Sequence, residues 1–289
     1  MLDHPLQDVD AWVLLFSNNS LPILRQTHRR LDEMRENLDR VDARELAQIV
    51  LRDPIMAVRV LAYIQPLRGR FLQHDITTVA GAIMMSGIEP FFNRFQEMPT
   101  IEGMLKGEDP RALLGVLQVI RRVQRAADYA QDWAIWRHDI NMEEVRIAAL
   151  LHDLAEILVL CFAPELGLQY HALRAAHPTM RSVVAQKEVL GGFSIQDVQA
   201  TLCRVWHLPE LLQNLMDDEH ANQPRVRNVT LAVRLARHSA RGWNDPALPD
   251  DYKDIAELLH ITPEAVRQRL HVPEDEAPLP PATEAPPSA

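Results

Sequence analysis

The chain has 289 residues, 47% of them hydrophobic and 24% charged, which is the composition of a globular protein with a substantial core and excludes wholesale disorder. Its formal net charge of −10 at pH 7 disfavours nucleic acid as a partner, because affinity for polyanions needs clustered lysine and arginine. Two cysteines, Cys161 and Cys203, are too few for a disulfide framework and fit a reducing cytoplasm.

The N-terminal region lacks the features of an export signal. Its first ten residues carry three aspartates, with neither a basic start nor an apolar core, so we expect a cytoplasmic location and no membrane attachment. From there the apolar residues follow helical spacing almost throughout, which predicts an all-α fold. Asp42 and Glu45 resemble a capping box. The helix that begins at this capping box ends at Asp53-Pro54, where Asp53 is expected to cap the next helix.

Glycine and proline mark a connection between two helical lobes. Gly103, Gly107 and Pro110 precede a long helix predicted over about 111–131. The predicted division is an N-terminal helical lobe over 1–108, a second helical lobe over 109–241, a C-terminal helical hairpin over 242–271, and a flexible tail rich in proline, alanine and glutamate over 272–289.

A histidine-aspartate doublet, His152-Asp153, lies in the most apolar stretch of the chain, residues 147–168. Together with Glu156 it interrupts that stretch too early for a bilayer span of about 20 apolar residues, so we predict a buried core helix. Buried polar groups need a hydrogen-bond partner, an ion partner or a metal. His152 and Glu156 are four residues apart and could form a buried pair with Asp153 nearby. Adjacent His and Asp could also share one metal ion.

Several short blocks accompany the doublet in a fixed order: Leu21-Pro22, Leu46-Ala47, Arg52-Asp53-Pro54, Ile76-Thr77-Thr78, Ala82-Ile83, Gly87, Leu150-Leu151, Pro164-Glu165, Glu188, Leu190-Gly191, Trp206 and Leu208-Pro209-Glu210. This series resembles the HDOD domain, a signalling branch of the HD hydrolase superfamily. The resemblance covers roughly residues 14–240. It implies a two-lobed helical bundle with an HD-like second lobe, and a role in bacterial signal transduction.

The resemblance also implies where further metal ligands would stand. An active HD hydrolase needs a histidine on an earlier helix and an aspartate on a later one, and the matching positions here are Ile120 and Val233. Neither side chain has a lone pair, and losing two of four ligands should abolish tight divalent binding. We therefore predict no catalytic residue, no cofactor and no metal. The expected function is a non-catalytic signalling module that binds a signalling protein or a small ligand.

A rebuilt metal site is the alternative. His152, Asp153, Glu156 and His220 are all suitable ligand types, and His220 would lie near the doublet in an HD bundle. Such a site would make the chain a metal-dependent phosphohydrolase or a cyclic-dinucleotide phosphodiesterase with a degenerate HD site. Isolated histidines are weaker ligand candidates: His138, His177 and His207.

Two basic features could instead meet a polyanion. A stripe on the long helix, formed by Arg121, Arg122 and Arg125, could contact an acidic partner or a phosphate, but such stripes are more often solvated helix faces. Residues 255–267 have the spacing of a helix-turn-helix, with Arg267 on the second helix. Acidic residues outnumber basic ones around this segment, so we favour a helical hairpin packed on the bundle over a DNA-binding element.

Overall fold

The computed structural model describes residues 1–68, 75–177 and 179–273. Within these ranges the chain is helical and contains no β-strand. The isolated β-bridge between Ile23 and Thr100 is its one element of β-pairing. The all-α prediction is therefore confirmed. The predicted tail over 272–289 lies almost entirely outside the described residues.

The N-terminal part is built from short helices joined by capped turns. Asp53 caps the fourth of them, because its Oδ1 accepts the backbone N–H groups of Ile55 and Met56 at 3.0 and 3.1 Å. Its Oδ2 accepts the N–H of Leu24 at 2.7 Å, so one buried carboxylate positions two helices. The helices are α1 (Val9–Asn18), α2 (Arg25–Arg35), α3 (Ala43–Val50), α4 (Pro54–Arg68), α5 (Val79–Ser86), α6 (Ile88–Arg94) and α7 (Ile101–Met104).

The second part surrounds one long helix, α8 (Pro110–Trp136), whose buried face carries mainly alanine and valine. These small side chains allow neighbouring helices to approach closely, and α9, α10, α11 and α15 all pack on α8. The helix predicted over about 111–131 is thus observed, extended at both ends. The remaining helices of this part are α9 (Met142–Leu151), α10 (Leu154–Phe162), α11 (Pro164–Ala176), α12 (Ser182–Leu190), α13 (Ile195–Val205), α14 (Glu210–Leu215) and α15 (Pro224–His238).

The apolar stretch that contains the doublet is a core element. Nearly every residue from Val145 to Ala163 is buried. No single helix of the described ranges has the length and hydropathy of a membrane span. One pair, Met142–Phe162 with Pro164–Ala176, passes that test together but is bent by 119°.

The C-terminal residues form two helices, α16 (Leu248–Leu259) and α17 (Pro263–Arg269); α16 packs on α15 and on α17, and Trp136 at the end of α8 donates to the carbonyl of Leu259. Arg269 donates to Asp132 at 2.9 Å, and its guanidinium lies 4.6 Å from the ring centroid of Trp136. This arginine of the possible DNA-binding helix is therefore engaged within the bundle, as the hairpin interpretation requires.

Helix α1 departs from the predicted lobe over 1–108, because it packs on α13 of the second lobe. The N–H of Leu2 donates to the carbonyl of Phe162 at 3.0 Å, and the rings of Phe16 and Phe162 are 5.6 Å apart. Trp206 donates from Nε1 to Ser17 Oγ at 2.9 Å. Burial of the aromatic side chains of α1 against the second lobe outweighs proximity in the sequence.

Candidate functional site

The doublet lies at a break between α9 and α10, where the sequence predicts one buried core helix. Gln199 of α13 occupies this break. Its Oε1 accepts the N–H of Ala155 at 2.8 Å, and its Nε2 donates to the carbonyl of Leu151 at 2.9 Å. In an unbroken helix these two backbone groups would bond to each other. The inserted amide therefore satisfies both groups while it lets the chain open at the doublet.

Two arginines hold the carboxylate of Asp153. Arg122 of α8 donates to Oδ2 from Nε at 3.1 Å and from Nη2 at 2.7 Å, and Arg237 of α15 donates to Oδ1 at 2.5 Å. Arg122 Nη2 also donates to Glu156 Oε2 at 2.7 Å. These four residues, Arg122, Asp153, Glu156 and Arg237, form what we call the arginine–carboxylate cluster. It pairs two positive with two negative side chains: both carboxylates are buried, while Arg122 is 19% and Arg237 38% exposed.

Two histidines extend the cluster. His152 Nδ1 lies 3.1 Å from Asp153 Oδ1, and its Nε2 faces Asp218 Oδ1 at 3.5 Å, which is long for a hydrogen bond. His171 of α11 contacts Glu156 from its Nε2, 3.2 Å from Oε1. The expected pair between His152 and Glu156 is thus replaced by two separate contacts, because the helix break removes their one-turn relationship.

The pKa values of the cluster reflect its two guanidinium groups. Burial raises the pKa of Asp153, but the charges of Arg237 and Arg122 outweigh burial and hold that pKa well below its ordinary value. Glu156 behaves in the same way, with Arg122 and His171 lowering its pKa against the effect of burial. The pKa values of Arg122 and Arg237 are raised, since the carboxylates overcome the effect of burial on the cations. Both carboxylates are therefore ionised at neutral pH.

The pKa of His152 is raised as well. Burial alone would lower it, but the contacts with Asp153 and Asp218 favour the imidazolium. Asp218 belongs to a 3₁₀ turn, Asp218–His220, and its Oδ1 also accepts a hydrogen bond from Thr230 at 2.8 Å. This aspartate, and not the predicted His220, is the residue of that segment that faces the doublet.

His220 itself is exposed and directed to its own turn. Its Nδ1 lies 2.9 Å from Asp217 Oδ2, and the His220 side chain is 54% exposed. The predicted set of His152, Asp153, Glu156 and His220 is therefore only partly brought together. Among the described residues, no group of three or more His, Cys, Asp or Glu side chains is arranged to hold a metal ion.

A metal of the HD type does not fit the residues present. Ile120 and Val233, at the two positions where further ligands would stand, are buried apolar side chains. Oxygens of Asp153 and Glu156 that would coordinate a cation already accept hydrogen bonds from guanidinium groups. A cation placed there would meet two positive charges at close range.

Sequence reasoning missed the partners of the doublet. Of the two roles expected for the arginine stripe, a solvated helix face is wrong for Arg122, because its side chain is only 19% exposed and is paired with Asp153 and Glu156. Arg125 is also engaged, donating to the carbonyl and Oγ of Ser239. One signal was present: Arg237 follows Val233 by one helical turn, and Arg122 is two residues from Ile120. A positively charged residue near each position that lacks a metal ligand could have indicated that arginines take the place of the metal ion.

The weaker histidine candidates lie at the ends of helices. His138 and His207 adopt positive φ angles of 57° and 53° two residues after the ends of α8 and α13, and His177 follows the last residue of α11. Histidine tolerates this left-handed backbone better than bulkier residues do. Their positions are those of helix-ending residues.

Comparison with known proteins supports the resemblance stated from the sequence. The HDOD domain family model matches residues 21–222. No curated protein matches the sequence significantly. Among solved structures, the MmoQ response regulator of Methylococcus capsulatus has a TM-score of 0.64 at 17% identity, covering 87% of this chain and 98% of that one. A virulence factor of Campylobacter jejuni has a TM-score of 0.61 at 17% identity, covering 93% and 94%. At these identities the two structures show a common fold.

Proposed function

Because the chain belongs to the HDOD domain family, a branch of the HD superfamily, we propose that it is a bacterial, cytoplasmic signalling module that binds a protein partner and does not hydrolyse a phosphoester. The single observation that carries this proposal is the arginine–carboxylate cluster. It stands where a metal-dependent relative would place its ion.

The physical argument concerns what a metal ion would have to displace. Asp153 and Glu156 are ionised, and oxygens of both are held by Arg122, with Arg237 on the other side of Asp153. A divalent ion would need both carboxylates and would displace Arg122, which has no other anion within the cluster, and Arg237, whose side chain is 38% exposed. Leaving the largely buried charge of Arg122 without its partners costs about 3–5 kcal/mol. Without a bound ion there is no means to activate water for attack on a phosphoester.

An exposed face of α8 suggests where a protein partner would bind. Leu114 and Leu117 lie one turn apart on this helix and are 55% and 36% exposed, and Arg121 follows one turn later. Adjoining exposed apolar side chains on one face are a feature of protein interaction sites. The MmoQ protein, which shares the fold, is named as a response regulator, and this agrees with a signalling role.

Metal analysis combined with an assay tests the non-catalytic part. Protein purified without chelator would be analysed for bound manganese, iron and zinc, and then assayed against phosphodiester and cyclic-dinucleotide substrates with manganese or iron added. We expect substoichiometric metal and no turnover. Stoichiometric metal together with turnover that Asp153→Ala abolishes would refute the proposal. Arg121→Ala is the matched control, because it changes an exposed arginine outside the cluster.

Affinity capture tests the binding part. Tagged wild-type protein and the double variant Leu114→Glu/Leu117→Glu would be compared in native lysate by quantitative mass spectrometry. We expect a specific partner that the double variant loses. Leu14→Glu, on the exposed face of α1, is the control and should keep that partner. Equal capture by the wild type and the double variant would refute the proposed face.

A further inference from the structure

A cavity of about 310 Å³ lies between the predicted lobes, away from the arginine–carboxylate cluster. Gln48 of α3 and Thr78 at the start of α5 line it from the first lobe, and Gln131, Ile140 and Arg146 line it from the second. We propose that this cavity binds a small organic monoanion, a carboxylate or a phosphodiester, through the guanidinium group of Arg146. This site goes beyond the proposed protein-binding function and does not depend on it.

Arg146 is a buried cation with few partners. Its side chain is 7% exposed, and no described residue accepts a hydrogen bond from its Nε. Its Nη1 is 3.5 Å from Gln48 Oε1, and its Nη2 is 3.9 Å from Asp128 Oδ1. Both distances exceed those of a strong charge-assisted hydrogen bond, which is about 2.7–2.9 Å. A buried guanidinium normally has its donors satisfied, so these donors mark a place for an oxygen ligand.

Comparison with Arg122 shows how different this environment is. Arg122 donates to two carboxylates at 2.7 Å, and they raise its pKa. The pKa of Arg146 is lowered, first by burial and then by the charge of Arg52, while the charges of Asp128 and, more weakly, Glu143 oppose the shift. Asp128 is half exposed and shared with Arg52 at 3.7 Å, so it screens Arg146 only in part.

The acidic residues beside the cavity are already engaged. Glu144 accepts from Thr77 Oγ1 at 2.6 Å and from Arg225 Nη2 at 2.8 Å, which occupies both of its oxygens. Glu143 accepts the N–H of Val79 at the first residue of α5, at 3.1 Å. The charge of Glu143 remains near the cavity. It favours a ligand with one negative charge over a dianionic phosphate monoester, because like charges at short range repel.

The mouth of the cavity adds an apolar requirement. Ile140 is 89% exposed and Met142 is 37% exposed, and both line the opening. An isolated leucine-sized side chain at the surface is common, but here two adjoin a buried cation. A ligand with an anionic group at Arg146 and an apolar body against Ile140 satisfies both features, in the manner of small-molecule sites that combine apolar walls with a few polar anchors.

Ligand-observed NMR and calorimetry on the purified full chain test this site without any partner. The probes are benzoate and hexanoate as carboxylates, dimethyl phosphate and a cyclic mononucleotide as phosphodiesters, and benzamide as a neutral match for benzoate. We expect at least one monoanion to bind and benzamide not to bind. Binding confined to carboxylates or to phosphodiesters would identify the source of the anionic group.

Variants decide whether Arg146 is responsible. Arg146→Gln should weaken binding at least about tenfold, the loss expected for a charged hydrogen bond. Ile140→Glu should weaken it as well, and at this position, 89% exposed, the fold should be retained. Arg204→Gln, which removes an exposed charge on α13, is the control and should bind like the wild type. Failure of every monoanion to bind at up to about 10 mM, equal binding of benzamide, or unchanged binding by Arg146→Gln would each overturn the proposal.

Discussion

Replacing Arg122 with methionine tests the energetic role of the arginine–carboxylate cluster. Methionine keeps much of the aliphatic volume of arginine but removes the guanidinium and its bonds to Asp153 and Glu156. Arg237 would still pair with Asp153, but Glu156 would lose its strongest partner. Breaking a buried ion pair from one side costs about 3–5 kcal/mol, and the 19% exposure of Arg122 places the loss toward the lower figure.

Urea denaturation at pH 7, monitored by circular dichroism, measures this loss as a fall in the urea concentration at the unfolding midpoint. The dependence of the free energy of unfolding on urea concentration should keep its slope. Arg121→Met, one residue earlier and exposed, should change the free energy of unfolding by less than about 0.5 kcal/mol. Adding Glu156→Gln to Arg122→Met should recover part of the loss, because the unpaired charge is removed. A loss below about 1 kcal/mol for Arg122→Met, or no recovery in the double variant, would refute the role assigned to the cluster.

Three further results are expected. The pKa of Asp153 is held below 3.8, so its contribution to stability is present above about pH 4 and is lost as the pH falls through the folded-state pKa. The pKa of His152 is raised above 6.5, so its contribution is present below pH 6.5 and is lost as the pH rises through the folded-state pKa. In a curve of stability against pH, Asp153→Asn should flatten the acid limb and His152→Gln the alkaline limb, and unchanged limbs would contradict these assignments. Gln199→Leu should cost about 1–3 kcal/mol in urea denaturation, because two buried backbone groups lose their partner, and a neutral result would show that α9 and α10 can close into one helix. Gly167→Ala should lower the thermal midpoint, since its new Cβ would lie 2.5 Å from Leu160 Cδ2 and 3.0 Å from Cγ, an overpacking cost of about 1–3 kcal/mol; a rise would mean that helix propensity dominates.

Local features of the sequence were sufficient for the fold class and for most helix bounds. Asp53 caps α4 as predicted, because its role depends mainly on the two residues that follow it. The helix predicted over about 111–131 is observed as Pro110–Trp136 for the same reason, since periodicity and a proline at the first turn are local properties.

The site could be predicted only in part, because its contacts join residues that are far apart in the sequence. Asp153 was recognised as a buried polar group in need of a partner. Its partners Arg122 and Arg237 stand 31 and 84 positions away, where no local pattern relates them. The expected pair of His152 with Glu156 assumed an intact helix. Gln199, 44 positions from Ala155, breaks that helix, and no property of residues 147–168 could reveal it.

The position of α1 makes the first lobe an inserted domain in a topological sense. The chain begins in the second lobe, leaves it after α1, forms α2 to α7, and returns as α8. The first lobe is consequently tethered at both of its ends to the same body, so a rotation of one lobe against the other would strain two connecting segments at once. A reporter group attached at Leu2 would lie beside Phe162 at the end of α10 and report on the second lobe, although Leu2 is nearer to the first lobe in sequence.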